Sequence, residues 1–290
     1  MRVTKLSFSI VLLAFSGVVT LAQQTGSQRI AESLERDGCV VLESDKVRVC
    51  KYDYVSDGKS VEAVSFRPGG EGPFPGILLI PGYQRTALHL IPLGVALARE
   101  GFAAAAVTQP GFGKSQGPPD YVGPKTLKVL TEGFRKLERE PFVDARRMGI
   151  YGYSRGAMAA SLLTVQLDDV DAAVFGAGIY DFKKAYDEVR IEGIRENMRL
   201  ETGMTPEAIK QRSSILQMKK LKCPVLILHG EKDENVPVSQ ALLLRDTLTA
   251  LKKEFEIKLF PDRPHGIGPE VTTYAIDFFK RKLSGAQPKR

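Results

Sequence analysis

The chain is expected to fold as an α/β protein, with a mostly parallel central sheet, helices on both faces, antiparallel strands at its start and one small helical insertion. Three observations predict this. From Gly76 onward, short continuous apolar runs alternate with helical stretches, the pattern of parallel strands buried on both sides. Before Gly76, extended-looking segments alternate imperfectly between apolar and polar residues, with an Asp57-Gly58 turn signal between two of them. Between Tyr180 and Leu216 the alternation gives way to charged, helix-forming sequence, read as a small insertion or lid.

In chain order, residues 23–37 are polar and read as a loose lead-in. Extended pieces follow at Cys39 to Leu42, Val47 to Tyr54 and Ser60 to Arg67, and the cluster Pro68-Gly69-Gly70-Glu71-Gly72-Pro73 breaks the chain after them. The apolar runs expected as parallel strands are Gly76 to Ile80, Ala103 to Val107, Gly149 to Tyr153, Ala172 to Ala177, Val225 to His229 and Phe255 to Phe260. Helices are expected over Ala87 to Glu100, Gly123 to Glu138, Ser154 to Gln166, Val238 to Lys252 and Pro269 to Lys282. With 290 residues, 43% hydrophobic and 26% charged, the composition suits one large domain, placed at 38–284 with the insertion at 180–216 and a flexible tail at 285–290.

The N-terminus reads as an export signal. Arg2 and Lys5 precede an apolar run beginning at Leu6 to Leu13, and Thr20-Leu21-Ala22 offers small residues for cleavage after Ala22. Ser7, Ser9, Ser16 and Thr20 dilute a stretch already marginal for spanning, so a removed signal is expected rather than an anchor, and the protein is expected to be secreted or periplasmic. Removing residues 1–22 takes away Arg2 and Lys5 and no acids, so the formal charge falls from +7 to +5. The remaining cations are scattered, and the dense tail Lys280-Arg281-Lys282 sits where a helix C-terminus favours positive charge. With no tryptophan and no aromatic platform, nucleic-acid binding is not expected. Cys39 and Cys50 flank a Val-rich segment, where a disulfide across a hairpin is weighed against two free thiols. Cys223 reads as a buried small hydrophobe, and with only three histidines and no Cys/His cluster a structural zinc site is not expected.

The chemistry centres on Gly152-Tyr153-Ser154-Arg155-Gly156, which follows an apolar strand and precedes Ala157-Met158-Ala159-Ala160. This is the G-x-S-x-G elbow in the strand, turn, helix setting it requires, and Ser154 is the candidate nucleophile. The bland alternative is a glycine-rich strand end with a helix-capping serine. A serine hydroxyl needs a base. Of the three histidines, His89 falls within a predicted helix and His229 ends a strand, whereas His265 lies in the loop Pro261 to Gly266 before the last helix and is the candidate base. Three acids, Glu231, Asp233 and Glu234, follow His229-Gly230 and can orient that base. Acyl transfer also needs donors for the developing oxyanion. The backbone N–H of Arg155 is one; Pro81 has no N–H, so Tyr83 N–H is the other. The Arg155 side chain either favours an anionic acid portion or points to solvent.

From Gly76 to about Phe279 the sequence resembles the single-domain α/β-hydrolases grouped with dienelactone hydrolases, acetyl-xylan esterases and the catalytic domain of prolyl-oligopeptidase-type (S9) peptidases. The motifs are PGYQR at 81–85, PGFGKSQG at 110–117, GIYGYSRGA at 149–157 and PVLILHGEKDENVPVSQ at 224–240. The resemblance implies the α/β-hydrolase fold, a base in the loop holding His265, and, through the pattern HGxxDxxVP, Asp233 as the orienting acid. Two departures matter. Dienelactone hydrolases carry cysteine where this chain has Ser154, and the stretch before the core is too short for the propeller of the oligopeptidases. The expected activity is hydrolysis of a small carboxylic ester through an acyl-enzyme, with no cofactor or metal. The alternatives are an S9-type peptidase acting on short peptides and a non-catalytic binding protein of the same fold.

Overall fold

Each apolar run becomes a strand because its side chains are shielded on both faces. The computed structural model describes residues 26–285, so the expected export signal and residues 286–290 lie outside the described residues. Nine strands form one sheet among those residues: β1 (Cys39–Leu42), β2 (Val47–Ser56), β3 (Lys59–Arg67), β4 (Phe74–Ile80), β5 (Ala103–Val107), β6 (Val143–Tyr153), β7 (Ala172–Gly176), β8 (Val225–Gly230) and β9 (Phe255–Phe260). Their order is β1-β2-β3-β5-β4-β6-β7-β8-β9. β1, β2 and β3 pair antiparallel, β3 joins β5 antiparallel, and β4 to β9 run parallel. The fold class expected from the sequence is therefore observed.

Side chains alternate between two apolar layers along each strand. Leu78 and Ile80 face one layer with Met158 and Phe175, while Ile77 and Leu79 face the other with Phe66 and Phe278. Helices α3 (Pro124–Glu138), α4 (Arg155–Gln166) and α8 (Ser239–Ala250) cover the first layer. Helices α2 (Ile91–Arg99), α9 (Glu270–Leu283) and α1 (Gly26–Asp37) cover the second. Gly94 of α2 lets that helix lie on β3, since a Cβ there would stand 2.4 Å from the Phe66 ring.

α1 corrects the expectation of a loose lead-in over 23–37. Its polar composition hides Ile30, Ala31 and Leu34, which share one helical face. Leu34 is buried in the second layer, and Glu35 pairs with Lys51 and Lys114 across the interface. Tertiary burial stabilises a helix that its composition does not announce. The insertion folds as short helices α5 (Phe182–Glu188), α6 (Glu192–Thr202) and α7 (Pro206–Gln211). Asp181 and Thr205 cap α5 and α7 by accepting from Lys184 N and Ala208 N.

Two features of the sheet bring separate loops together at one edge. β4 lies between β5 and β6, so the strand order reverses beside it and a crevice opens at the carboxyl ends of β4 and β6. Ile80 is in register with Gly152, which sets the loop after β4 against the turn after β6. Among the described residues, no helix is long and apolar enough to cross a membrane.

Cys39 and Cys50 stand opposite each other in the β1–β2 ladder and are joined by a disulfide, while Cys223 is buried and outside that bridge. The bridge closes a loop with a sequence separation of 11. The double variant Cys39→Ser/Cys50→Ser is expected to unfold at lower urea, a loss of about 2–3 kcal/mol; an unchanged midpoint contradicts this.

Candidate active site

Backbone contact comes before side-chain chemistry here. Ser154 sits at φ 56° and ψ −124°, the strained geometry of a serine on a sharp strand-to-helix turn. The turn is held by Ser154 N donating to Gly176 O at 2.7 Å and by Ala157 N donating to Ser154 O at 2.9 Å. Its flanking glycines have no substitutes. A Cβ on Gly152 would lie 2.1 Å from Gly156 O, and one on Gly156 would lie 2.1 Å from Ile80 O. The first turn of α4 is thus pressed against the end of β4.

His265 lies in the loop between β9 and α9. Its Nε2 is 2.8 Å from Ser154 Oγ and its Nδ1 is 2.8 Å from Asp233 Oδ2. The loop is stitched to its neighbours. Tyr153 OH donates to the His265 carbonyl and accepts from Ile267 N, while Lys232 N donates to Arg263 O at 3.1 Å. Burial pushes the Tyr153 phenol up to about 12, so it stays protonated and able to donate.

Asp233 follows β8 with its side chain fully buried. Its Oδ1 accepts from Asn235 N and Val236 N, both at 2.9 Å, and Oδ2 faces His265 with His229 Nε2 at 3.4 Å. His229, also fully buried, donates from Nε2 to Val236 O at 2.9 Å and so braces the acid loop. Burial alone would raise the Asp233 carboxyl, but the hydrogen bonds from His229 and His265, the adjacent imidazole and Val236 N–H outweigh it and hold the group at about 2. A carboxylate is acceptor only, so His265 Nδ1 carries the proton and Nε2 is free to accept from Ser154. Glu231 and Glu234, the other acids of the loop, are exposed. Ser154, His265 and Asp233 are therefore brought into one hydrogen-bonded series, while His89 is not part of it. His89 Nδ1 accepts from Thr86 N at 3.0 Å, and its ring lines the wall of the cavity.

The loop after β4 runs beside the elbow. Gly82 lies against Ser154, with the position of a Gly82 Cβ 3.4 Å from Ser154 Cβ, and Gln109 Nε2 pins the preceding Pro81 carbonyl at 2.7 Å. Of the two sequence-predicted oxyanion donors, Arg155 follows the serine in the chain and Tyr83 follows Gly82 in the loop beside it, and both line the same cavity as Ser154. The Arg155 side chain takes neither of its expected positions. It is buried, its guanidinium holds both carboxylate oxygens of Glu201, and the Tyr83, Phe112 and Tyr121 rings surround it. Neither Glu201 nor Asn197, which donates to Tyr83 OH at 3.0 Å, was singled out from the sequence. Both come from a charged segment whose local pattern resembles any solvated helix.

A cavity of about 590 Å³ opens over Ser154 and His265. Its walls are largely aromatic and aliphatic, with Tyr121, Ile179, Ile194 and Val236 among them. Among the described residues, Arg85 and Arg155 are the formally charged ones in the lining, and no carboxylate residue lines it. No group of three His, Cys, Asp or Glu residues is placed to hold a metal ion among the described residues.

The fold and elbow define a hydrolase of the α/β-hydrolase class. The sequence profile of the prolyl oligopeptidase family matches residues 122–286, and the chain belongs to that family, peptidase family S9. It is 28% identical over 233 residues to the uncharacterized peptidase YtmA of Bacillus subtilis, covering 78% of this chain and 90% of that one. Among solved structures, the acylaminoacyl peptidase of Pyrococcus horikoshii superposes with a TM-score of 0.72 at 20% identity, over 84% of this chain and 43% of that one. Acetyl xylan esterase 1 of a Thermoanaerobacterium species superposes with a TM-score of 0.63 at 18% identity, over 81% of this chain and 83% of that one. The chain spans less than half the length of the Pyrococcus peptidase and 34% of the Bacillus subtilis relative YuxL.

The folded Asp233 value lies below the unfolded one of about 3.9, so its contribution to stability is complete above about pH 5 and is lost as pH falls toward 2. In urea titrations the stability gap between the wild type and Asp233→Asn is expected to narrow between about pH 5 and pH 2. A constant gap contradicts the depressed value.

Proposed function

We propose that the protein is a serine acyl hydrolase that cleaves carboxylic esters through an acyl-enzyme on Ser154. The observation that carries this is the unbroken hydrogen-bond series from Ser154 Oγ through His265 to Asp233 at the floor of a cavity. Ser154 Oγ attacks the carbonyl carbon as its proton passes to His265 Nε2. Asp233 holds the imidazole by Nδ1 and stabilises its charged form. The carbonyl oxygen takes up negative charge facing the N–H groups of Tyr83 and Arg155. His265 then returns the proton to the departing alcohol. Water, deprotonated by the same imidazole, adds to the acyl carbon and releases the acid and the free serine hydroxyl. No cofactor enters these steps.

The cavity lining favours esters over substrates with a free amino terminus. An aminopeptidase must hold an ammonium group, and the wall offers no carboxylate for it. Glu201, the nearby buried acid, is already engaged with Arg155. Membership of the prolyl oligopeptidase family supports the second reading, cleavage of short or N-blocked peptides, by the same serine. A secreted or periplasmic location remains part of the proposal, resting on the N-terminal sequence.

Wild-type protein is expected to hydrolyse p-nitrophenyl acetate and to be labelled by a fluorophosphonate. Ser154→Ala is expected to lose labelling and on the order of 10⁴ to 10⁶ in kcat. Undiminished turnover in that variant refutes the mechanism. With the same leaving group, kcat/KM is expected to be higher for acyl esters than for free-amino aminoacyl substrates, and the opposite order would favour an aminopeptidase.

A further inference from the structure

We propose that Glu201 and Asn197 of the insertion are positioning residues for the oxyanion site: docking of α6 holds the two residues, Arg155 and Tyr83, whose backbone N–H groups receive the carbonyl oxygen. This rests on the acyl-hydrolase function proposed for Ser154.

Asn197 and Glu201 are four residues apart in α6 and so share one face of that helix. Each reaches a different donor residue. Glu201 Oε1 accepts from Arg155 Nη1 at 3.0 Å and Oε2 accepts from Nη2, with side-chain exposures of 4% for the arginine and 11% for the glutamate. Oε2 also accepts from Tyr121 N at 2.7 Å, so the carboxylate is fixed from two directions. The guanidinium lies 4.5 Å from the Tyr121 ring centre, 5.3 Å from that of Phe112 and 5.6 Å from that of Tyr83. Asn197 Nδ2 donates to Tyr83 OH at 3.0 Å, and the Tyr83 ring meets Phe112 edge-on at 5.5 Å.

The consequence is geometric. Arg155 is the first residue of α4, so its N–H has no partner within the helix, and the direction of that N–H depends on how the residue is seated. Tyr83 lies in the turn closed by Arg85 N donating to Gly82 O at 3.2 Å, and its ring and hydroxyl are its attachments outside that turn. Oxyanion donors act only when already aimed at the oxygen, and a displacement of about 1 Å costs on the order of 100-fold in rate. One helix face therefore grips both donors through their side chains while their N–H groups stay free for substrate. Arg155, with Nη1 and Nη2 both on Glu201, is a strut rather than a charge offered to substrate.

The test separates aim from mere docking. Glu201→Gln and Tyr83→Phe are compared with wild type for p-nitrophenyl acetate turnover and for inhibition by a trifluoromethyl ketone, whose carbonyl carbon bonds to Ser154 Oγ while its oxygen becomes anionic. Glu201→Gln is expected to lower kcat by about 10- to 100-fold and Tyr83→Phe by several-fold, with KM within about threefold and ketone affinity falling in step with kcat. Retained kcat and ketone affinity, or losses confined to KM or to melting temperature, overturn the proposal. Where Glu201→Gln fails to fold, Tyr83→Phe decides alone, since it removes one hydroxyl from a residue 37% exposed. If Ser154→Ala keeps full turnover, the acyl-hydrolase function itself fails. If Ser154→Ala is inactive while the two variants keep wild-type kcat, only the positioning role fails.

Discussion

The site depends on a backbone contact so close that no side chain fits within it. Gly156 passes under the Ile80 carbonyl and Gly152 faces the Gly156 carbonyl, which presses the first turn of α4 onto the end of β4. That contact forces Ser154 into a positive φ and lifts its hydroxyl out of the sheet edge. It also sets the loop carrying Tyr83 beside the serine, because Ile80 and Gly152 are in register. The placements of the serine, the Tyr83 loop and the helix N-terminus are consequences of one packing arrangement rather than separate features.

A second constraint is electrostatic. Asp233 is buried and ionised because backbone N–H groups and two imidazoles compensate it, so it can orient His265 without taking its proton. His229 belongs to this compensation although it lies outside the Ser154 series, and its hydrogen bond to Val236 O closes the loop around the acid. The Arg155–Glu201 pair, whose arginine follows the serine in the chain, has side-chain exposures of only 4% and 11%. Taking two charges from water offsets much of their attraction, so such a pair is weak support for stability. Its value lies in direction, since a bidentate fork fixes the angle of both side chains.

The two constraints meet at the insertion. The hydrolase core alone supplies the elbow, the loop of His265 and the loop of Asp233, stitched together by hydrogen bonds such as Tyr153 OH to His265 O and Lys232 N to Arg263 O. α6 adds Ile194 and Asn197 to the wall of the cavity and seats the Arg155 and Tyr83 side chains through Glu201 and Asn197.

What the sequence by itself determined is what its local patterns encode. Apolar runs separated by helical periodicity gave the strands, the helices and the parallel sheet, and GYSRG after a strand marked Ser154 as the residue of a tight turn. His265 was legible because it lies in a loop directly after a strand, where position along the chain dictates position at the sheet edge, whereas Asp233 was distinguished from Glu231 and Glu234 of the same loop only through the resemblance pattern HGxxDxxVP. Helix α1 was missed because its three apolar contacts sit in polar sequence, and burial rather than propensity holds it. The Arg155–Glu201 and Tyr83–Asn197 contacts were beyond reach for a related reason. Their partners are separated by 46 and 114 residues, and no local spacing specifies which charged residue of a short helix will turn inward. Only the tertiary structure decided that, because the choice depends on which face of α6 meets the aromatic wall over the serine.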